Sequence, residues 1–163
     1  MLEVFPRLFI GNDQDYENLK DEWSIVHACK DPYHRRLLGY RRDAPKTHPE
    51  YLFARRDRCL FLNLVDASNV AYIPKLVIDT ALKFIEEELV TRYTLVHCNN
   101  GFSRAPSIGF LYLVTKGYFE SDVNLAIKSF KRIYPCFNPT KGIYDFIHFY
   151  YSDYRKEYII KGR

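Results

Sequence analysis

Eight residues, His97-Cys98-Asn99-Asn100-Gly101-Phe102-Ser103-Arg104, restrict what this chain can fold into more than any other stretch. An apolar run, Tyr93-Thr94-Leu95-Val96, leads into them. A second apolar run, residues 108–114, leads out. The first has the length of a buried strand; the second is apolar nearly all round, as a buried helix is. A short loop between them, with Gly101 inside it, can curl until successive backbone N–H groups point inward. That makes an anion cradle at a helix N-terminus, where the helix dipole also favours negative charge. Arg104 adds a planar fork for two oxygens. The same positive field favours the thiolate of Cys98, the nucleophilic form of the side chain. A thiolate on the floor of an anion cradle suits displacement at phosphorus. The plainer readings are an inert buried cysteine and an ordinary surface ion pair. The preceding His97, the internal Gly101 and the strand-to-helix setting argue against both.

The rest of the chain supplies a frame for this loop. At 163 residues it is the size of one domain with a sizeable core. Apolar residues make up 47% and aromatics 17%, which predicts packing rather than disorder. No apolar run is long enough to cross a bilayer, and the expectation is a soluble, intracellular, cytoplasmic protein without a membrane partner. The four cysteines, Cys29, Cys59, Cys98 and Cys136, show no Cys-x-x-Cys spacing. Reduced thiols are expected, with no bound zinc or other metal.

Read in order, residues 4–11 predict a short strand closed by a turn, and residues 13–20 a small helix with Asp13 as N-cap. Residues 24–29 suit a buried parallel strand, with His27 a sheet histidine. Residues 30–58 are irregular, interrupted by Pro32, Gly39, Pro45 and Pro49. They hold nine Lys/Arg against four Asp/Glu, so the excess of basic charge is local and could draw anions or form a solvated face. Residues 59–65 predict a second buried strand. A helix begins near Pro74, with Val77, Ala81, Phe84, Ile85 and Leu89 on one face. Strand–helix–strand order implies a parallel pair with a right-handed crossover. Asp66 and Cys98 then both lie just past the carboxyl ends of their strands, the edge where open α/β sheets bind ligands. Gly117 ends the central helix, Ser121 caps the next and Pro135 stops it. Thr140 caps the last helix, which Tyr144, Tyr150, Tyr151, Tyr154 and Tyr158 pack.

His97-Cys98 with Gly101 and Arg104 resembles the His-Cys-x-x-Gly-x-x-Arg signature of the cysteine-based protein phosphatases. The surrounding pattern is most similar to their dual-specificity branch, over nearly the whole chain except residues 30–58. The resemblance implies one α/β domain over residues 1–163. It implies a central, mostly parallel sheet of about four to five strands flanked by helices. It implies a phosphatase acting on phosphotyrosine, and on phosphoserine and phosphothreonine, in proteins through a cysteinyl-phosphate, without metal or cofactor. Cys98 would be the nucleophile and Asp66 the general acid. Arg104 and the backbone of Asn99, Asn100, Gly101, Phe102 and Ser103 would bind the phosphate, and His97 would support the loop and the thiolate by hydrogen bonding.

Two positions depart from the pattern. The hydroxyl that follows the arginine in many relatives, and helps sulfur leave, is missing at Ala105. Ser103 or Ser107 would have to stand in for it, or the second step is slow. Thr140 stands where relatives often carry Asn. Asn99, Asn100, Phe102 and Ser103 include no lysine, which argues against a phosphoinositide substrate. Two alternatives stay open. RNA 5′-triphosphatases share the signature and often its Gly-Phe, here Gly101-Phe102, so a nucleic-acid partner would also fit the basic segment. A phosphate-binding protein without turnover is the other. The oligomeric state is not written in these residues.

Overall fold

Four short strands lie parallel at the centre of the molecule, two of them buried along their whole length. In this computed structural model, which describes residues 1–19 and 22–161 with side chains as far as Lys156, they are β2 (Leu8–Gly11), β3 (Ser24–His27), β5 (Cys59–Leu62) and β6 (Thr94–His97). Two antiparallel strands, β1 (Leu2–Phe5) and β4 (Phe53–Arg56), close the edges. The order is β1-β2-β6-β3-β5-β4, a single mostly parallel sheet. The register sets Gly11, His27 and His97 side by side, so three strands end level. The loops after them share one edge.

Among the described residues the α-helices are α1 (Asp13–Glu17), α2 (Arg35–Leu38), α3 (Lys75–Glu88), α4 (Arg104–Thr115), α5 (Val123–Ile133) and α6 (Lys141–Lys161), with short helical turns at Lys30–His34 and Val70–Tyr72. Every residue of α4 from Ala105 to Thr115 is buried, as its all-round apolar sequence requires. It packs on β2 and β6 on one side and α6 on the other. Phe110 of α4 meets Phe130 of α5 at a ring separation of 5.3 Å, and Phe130 meets Phe137 edge-on at 5.1 Å. These rings pack the middle of α4 against α5 and the segment that follows it. In α6, Tyr151 and Tyr154 are buried as expected and Tyr150 packs against the core, while Tyr144 is half exposed against His148; the side chain of Tyr158 lies outside the described residues.

Several local expectations give way to tertiary context. Residues 4–11 are not one strand but the β1–β2 hairpin, turned at Pro6 and Arg7, with Arg7 at φ 68°. The sheet gains a strand inside the basic segment because β4 pairs with β5. Only Ala54 of β4 is buried, and its arginines give an edge strand no apolar signature. Asn12, not Asp13, caps α1 in a reciprocal arrangement with Asp15, and the helix ends at Glu17; residues 20 and 21 lie outside the described ones. Asp122, one residue past Ser121, caps α5 by accepting from the Asn124 and Leu125 N–H groups. Among the described residues, no helix is long and apolar enough to cross a membrane.

Candidate active site

The loop between β6 and α4 is held open from outside. Tyr134 Oη donates to the Gly101 carbonyl at 2.9 Å, the Asn138 N–H to the Phe102 carbonyl at 2.8 Å, and the Asp13 N–H to the Asn99 carbonyl at 3.4 Å. A trans peptide directs its C=O and N–H oppositely. Three carbonyls fastened outward therefore turn the N–H groups of Asn100, Phe102 and Ser103 inward. Gly101 makes the turn at φ 74°, and a Cβ there would stand 3.1 Å from the Gly11 carbonyl oxygen. Both the backbone conformation and the space demand glycine. At the mouth of α4, the Ala105 N–H points at Cys98 Sγ, 3.5 Å away.

Cys98 is 2% exposed, yet it is not walled off. It lines a cavity of about 200 Å³ with Asp66, Asn100, Phe102, Ser103, Arg104, Asn138 and Thr140. Phe102 stands half exposed on its rim. A larger hollow of about 500 Å³ lies beside Trp23 and Cys59, but burial pushes the Cys59 thiol up, so it stays protonated.

Arg104 is anchored on two sides. Its Nη2 donates to Asn99 Oδ1 at 2.7 Å and its Nη1 approaches the Leu64 carbonyl at 3.4 Å. Nε is buried and has no hydrogen-bond partner; Asp66 Oδ2 is 3.9 Å from it. Asp66 reaches the loop through its other oxygen. Oδ1 accepts from Ser103 Oγ at 2.8 Å and from Thr140 Oγ1 at 2.7 Å. The Thr140 N–H in turn donates to Ser103 Oγ at 3.0 Å. Thr140 opens α6 through its carbonyl, which accepts from Tyr144, but its hydroxyl serves Asp66 rather than the helix. Ser107 Oγ donates to the Ser103 carbonyl at 2.6 Å, four residues back. Both hydroxyls named as stand-ins for Ala105 thus have their protons directed elsewhere than at sulfur.

His97 lies on the other face of the sheet from Cys98, as strand alternation requires. Its Nε2 is 2.6 Å from His27 Nδ1, and its Nδ1 is 3.2 Å from Asp13 Oδ1, off the line of a good hydrogen bond. It bonds to His27 and not to Cys98 Sγ. Tyr16 stacks on it at 4.8 Å, and Tyr33 stacks on His27 at 4.4 Å. Burial, with each other's charge for His27, holds His27 down at about 3 and His97 at about 4. Both rings return to the ordinary range near 6.5 on unfolding. Below that pH the unfolded chain binds protons that the folded chain refuses, so stability falls as pH drops from 6.5 toward 4. Each ring steepens the slope by at most about 1.4 kcal/mol per pH unit. Urea midpoints at pH 7 and 5, above most carboxylate titration, should show the drop, and His27→Asn should flatten it. A parent midpoint that does not move over that window would remove this account.

Sequence reading brings Cys98, Arg104, Asp66 and Ser103 together, and the structure places all four on one cavity. It passes over Asn138 as a loop support, and it marks Thr140 as a helix cap and a departure from the family pattern but not as a partner of Asp66. Both lie 36 or 37 residues from the groups they touch in the loop. Among the described residues, no cluster of His, Cys, Asp and Glu is gathered to hold a metal ion.

No protein-family model and no curated protein matches this sequence. Solved structures do match its fold. DUSP15 superposes with a TM-score of 0.65 at 19% identity, over 97% of this chain and 94% of its own. The human tyrosine phosphatase-like serine/threonine/tyrosine-interacting protein gives 0.60 at 19% identity, over 94% and 97%. OH1 from the Orf virus, a tyrosine phosphatase, gives 0.52 at 12% identity, over 98% and 84%. The chain therefore has the fold of the dual-specificity branch of the cysteine-based protein tyrosine phosphatases.

Proposed function

We propose that this protein hydrolyses phosphate monoesters on proteins, phosphotyrosine first and phosphoserine or phosphothreonine as well. The observation that carries the reading is the buried Arg104 Nε–H, a charged donor without a hydrogen-bond partner, in the same small cavity as Cys98 and the carboxylate of Asp66. An oxyanion on that floor would satisfy the donor and present phosphorus to sulfur.

The chemistry follows in two displacements. Cys98 thiolate attacks phosphorus, the bond to the leaving oxygen breaks, and Asp66 gives that oxygen its proton. Water then attacks the cysteinyl-phosphate, its proton goes to Asp66, and the S–P electron pair returns to sulfur. The inward N–H groups and Arg104 hold the equatorial oxygens, where transition-state charge gathers. Asp66 must leave its two hydroxyl donors far enough to meet the leaving group, and Ser103 and Thr140 keep it beside the cavity until then.

The RNA reading leans on the basic segment, some of whose side chains are tied up in ion pairs. Lys30 pairs with Asp43, Arg35 with Asp31, Arg56 with Glu50, and Arg55 with Glu87 and Glu88. The first three pairs use acids of the segment itself, so only Arg55 draws on carboxylates from outside it, and most of the local basic excess remains. The test is one panel: an aryl phosphate, phosphotyrosine and phosphothreonine peptides, and 5′-triphosphate RNA. Turnover of the aryl phosphate and the peptides is expected. Release of γ-phosphate from RNA alone would replace this reading with the triphosphatase. Oxyanion binding without any turnover would leave a phosphate-binding protein.

A further inference from the structure

The outer side of the Arg104 guanidinium is held by a line of polar groups that starts in α1. Arg104 Nη2 donates to Asn99 Oδ1. Asn99 Nδ2 donates to Asp13 Oδ2 at 3.0 Å and to the Asp31 carbonyl at 3.1 Å. The other Asp13 oxygen accepts from Tyr33 Oη at 2.9 Å. Burial, and then Asp13 itself, push the Tyr33 phenol up, so it remains a donor. Chemistry settles which way the Asn99 amide faces. Turned round, its oxygen would meet a carboxylate and a carbonyl, and its NH₂ would meet the guanidinium.

We propose that Asp13 is a positioning residue for phosphate recognition: through Asn99 it fixes the Arg104 side chain so that Nε faces the cavity. This rests on the cavity being a phosphate site, and Asp13 itself touches no substrate. An arginine side chain has many rotamers to lose, and anchoring one edge of its fork removes part of that loss from the binding step. The anchor also opposes a competitor. Asp66 lies 3.9 Å from Nε on the cavity side. A guanidinium released from Asn99 can close on Asp66 instead of on an oxyanion.

The sign of the effect separates positioning from plain electrostatics. Removing a nearby carboxylate should by charge alone tighten anion binding. Removing an anchor should weaken it. The probe is sodium tungstate, a tetrahedral dianion, titrated by calorimetry at fixed ionic strength; no turnover is needed. Asp13→Ala and Asn99→Leu should each weaken tungstate about tenfold, the low end for a hydrogen bond to a charged group. The double variant should be no weaker than the worse single one, because both interrupt one path. In an Arg104→Ala background, Asp13→Ala should have no further effect. Asp13→Asn, which keeps shape and an acceptor, should fall between parent and alanine, and it carries the same comparison if the alanine variant does not fold. Unchanged or tighter tungstate binding in Asp13→Ala overturns the proposal, as does an equal loss with Arg104 absent. Asp13-dependent tungstate binding in a protein that turns over no aryl phosphate would keep this inference and remove the phosphatase reading; aryl-phosphate turnover with Asp13-independent binding does the reverse.

Discussion

Cys98→Ser is expected to lower aryl-phosphate turnover by a factor on the order of 10⁴–10⁶, the usual range for losing a covalent nucleophile. Serine is close in size and the Ala105 N–H can still reach its oxygen, so the fold should survive. What disappears is the polarisable sulfur that shares the cavity with Arg104. Parent protein should also release aryl alcohol in a burst before its steady rate. Ala105 has no hydroxyl, and those of Ser103 and Ser107 donate to Asp66 and to the Ser103 carbonyl, so none of these three assists sulfur as it leaves. Stopped-flow absorbance measures both. Steady turnover persisting in Cys98→Ser removes the nucleophile assignment, and a parent without a burst places the slow step before the cysteinyl-phosphate.

Asp66→Asn should divide substrates by their leaving groups. With a poor leaving group such as an alkyl or unsubstituted phenyl phosphate, the rate should fall by roughly 10²–10⁴, the usual contribution of a general acid. With a strongly acidic phenol it should hardly change, because that oxygen needs no proton. Asparagine can keep both hydrogen bonds from Ser103 and Thr140, since its oxygen replaces Oδ1 as acceptor. The loop should therefore stay in place while the proton is lost. The slope of log rate against leaving-group pKa is the measurement. An equal loss across the series would mean that Asp66 shapes the site and does not protonate the leaving oxygen.

The Asp66 network also shows where reading the chain in order runs out. Its placement past a strand end follows from strand–helix–strand order. Its partners do not, because Ser103 and Thr140 come from two other loops that only the stacking of α4 and α6 brings near. The N-terminal strand and the basic segment failed for a different reason. Pro6-Arg7 interrupts an apolar pattern that looks continuous, and β4 is an edge strand whose one buried residue, Ala54, gives almost no signal.

What the residues themselves determined is local and periodic: buried strands, an all-apolar central helix, and a glycine-bearing loop with a cysteine at one end and an arginine at the other. Those follow from hydrophobic spacing and from the few backbone shapes such a loop can take. Tertiary structure decided which acceptors Arg104 has, which donors hold Asp66, and that His97 pairs with His27 on the far face. These contacts join groups up to 74 residues apart in sequence, and the Asn99–Asp13 bond behind Arg104 spans 86. Spacing along a chain carries no record of them, because polar partners meet wherever packing of the apolar faces leaves them.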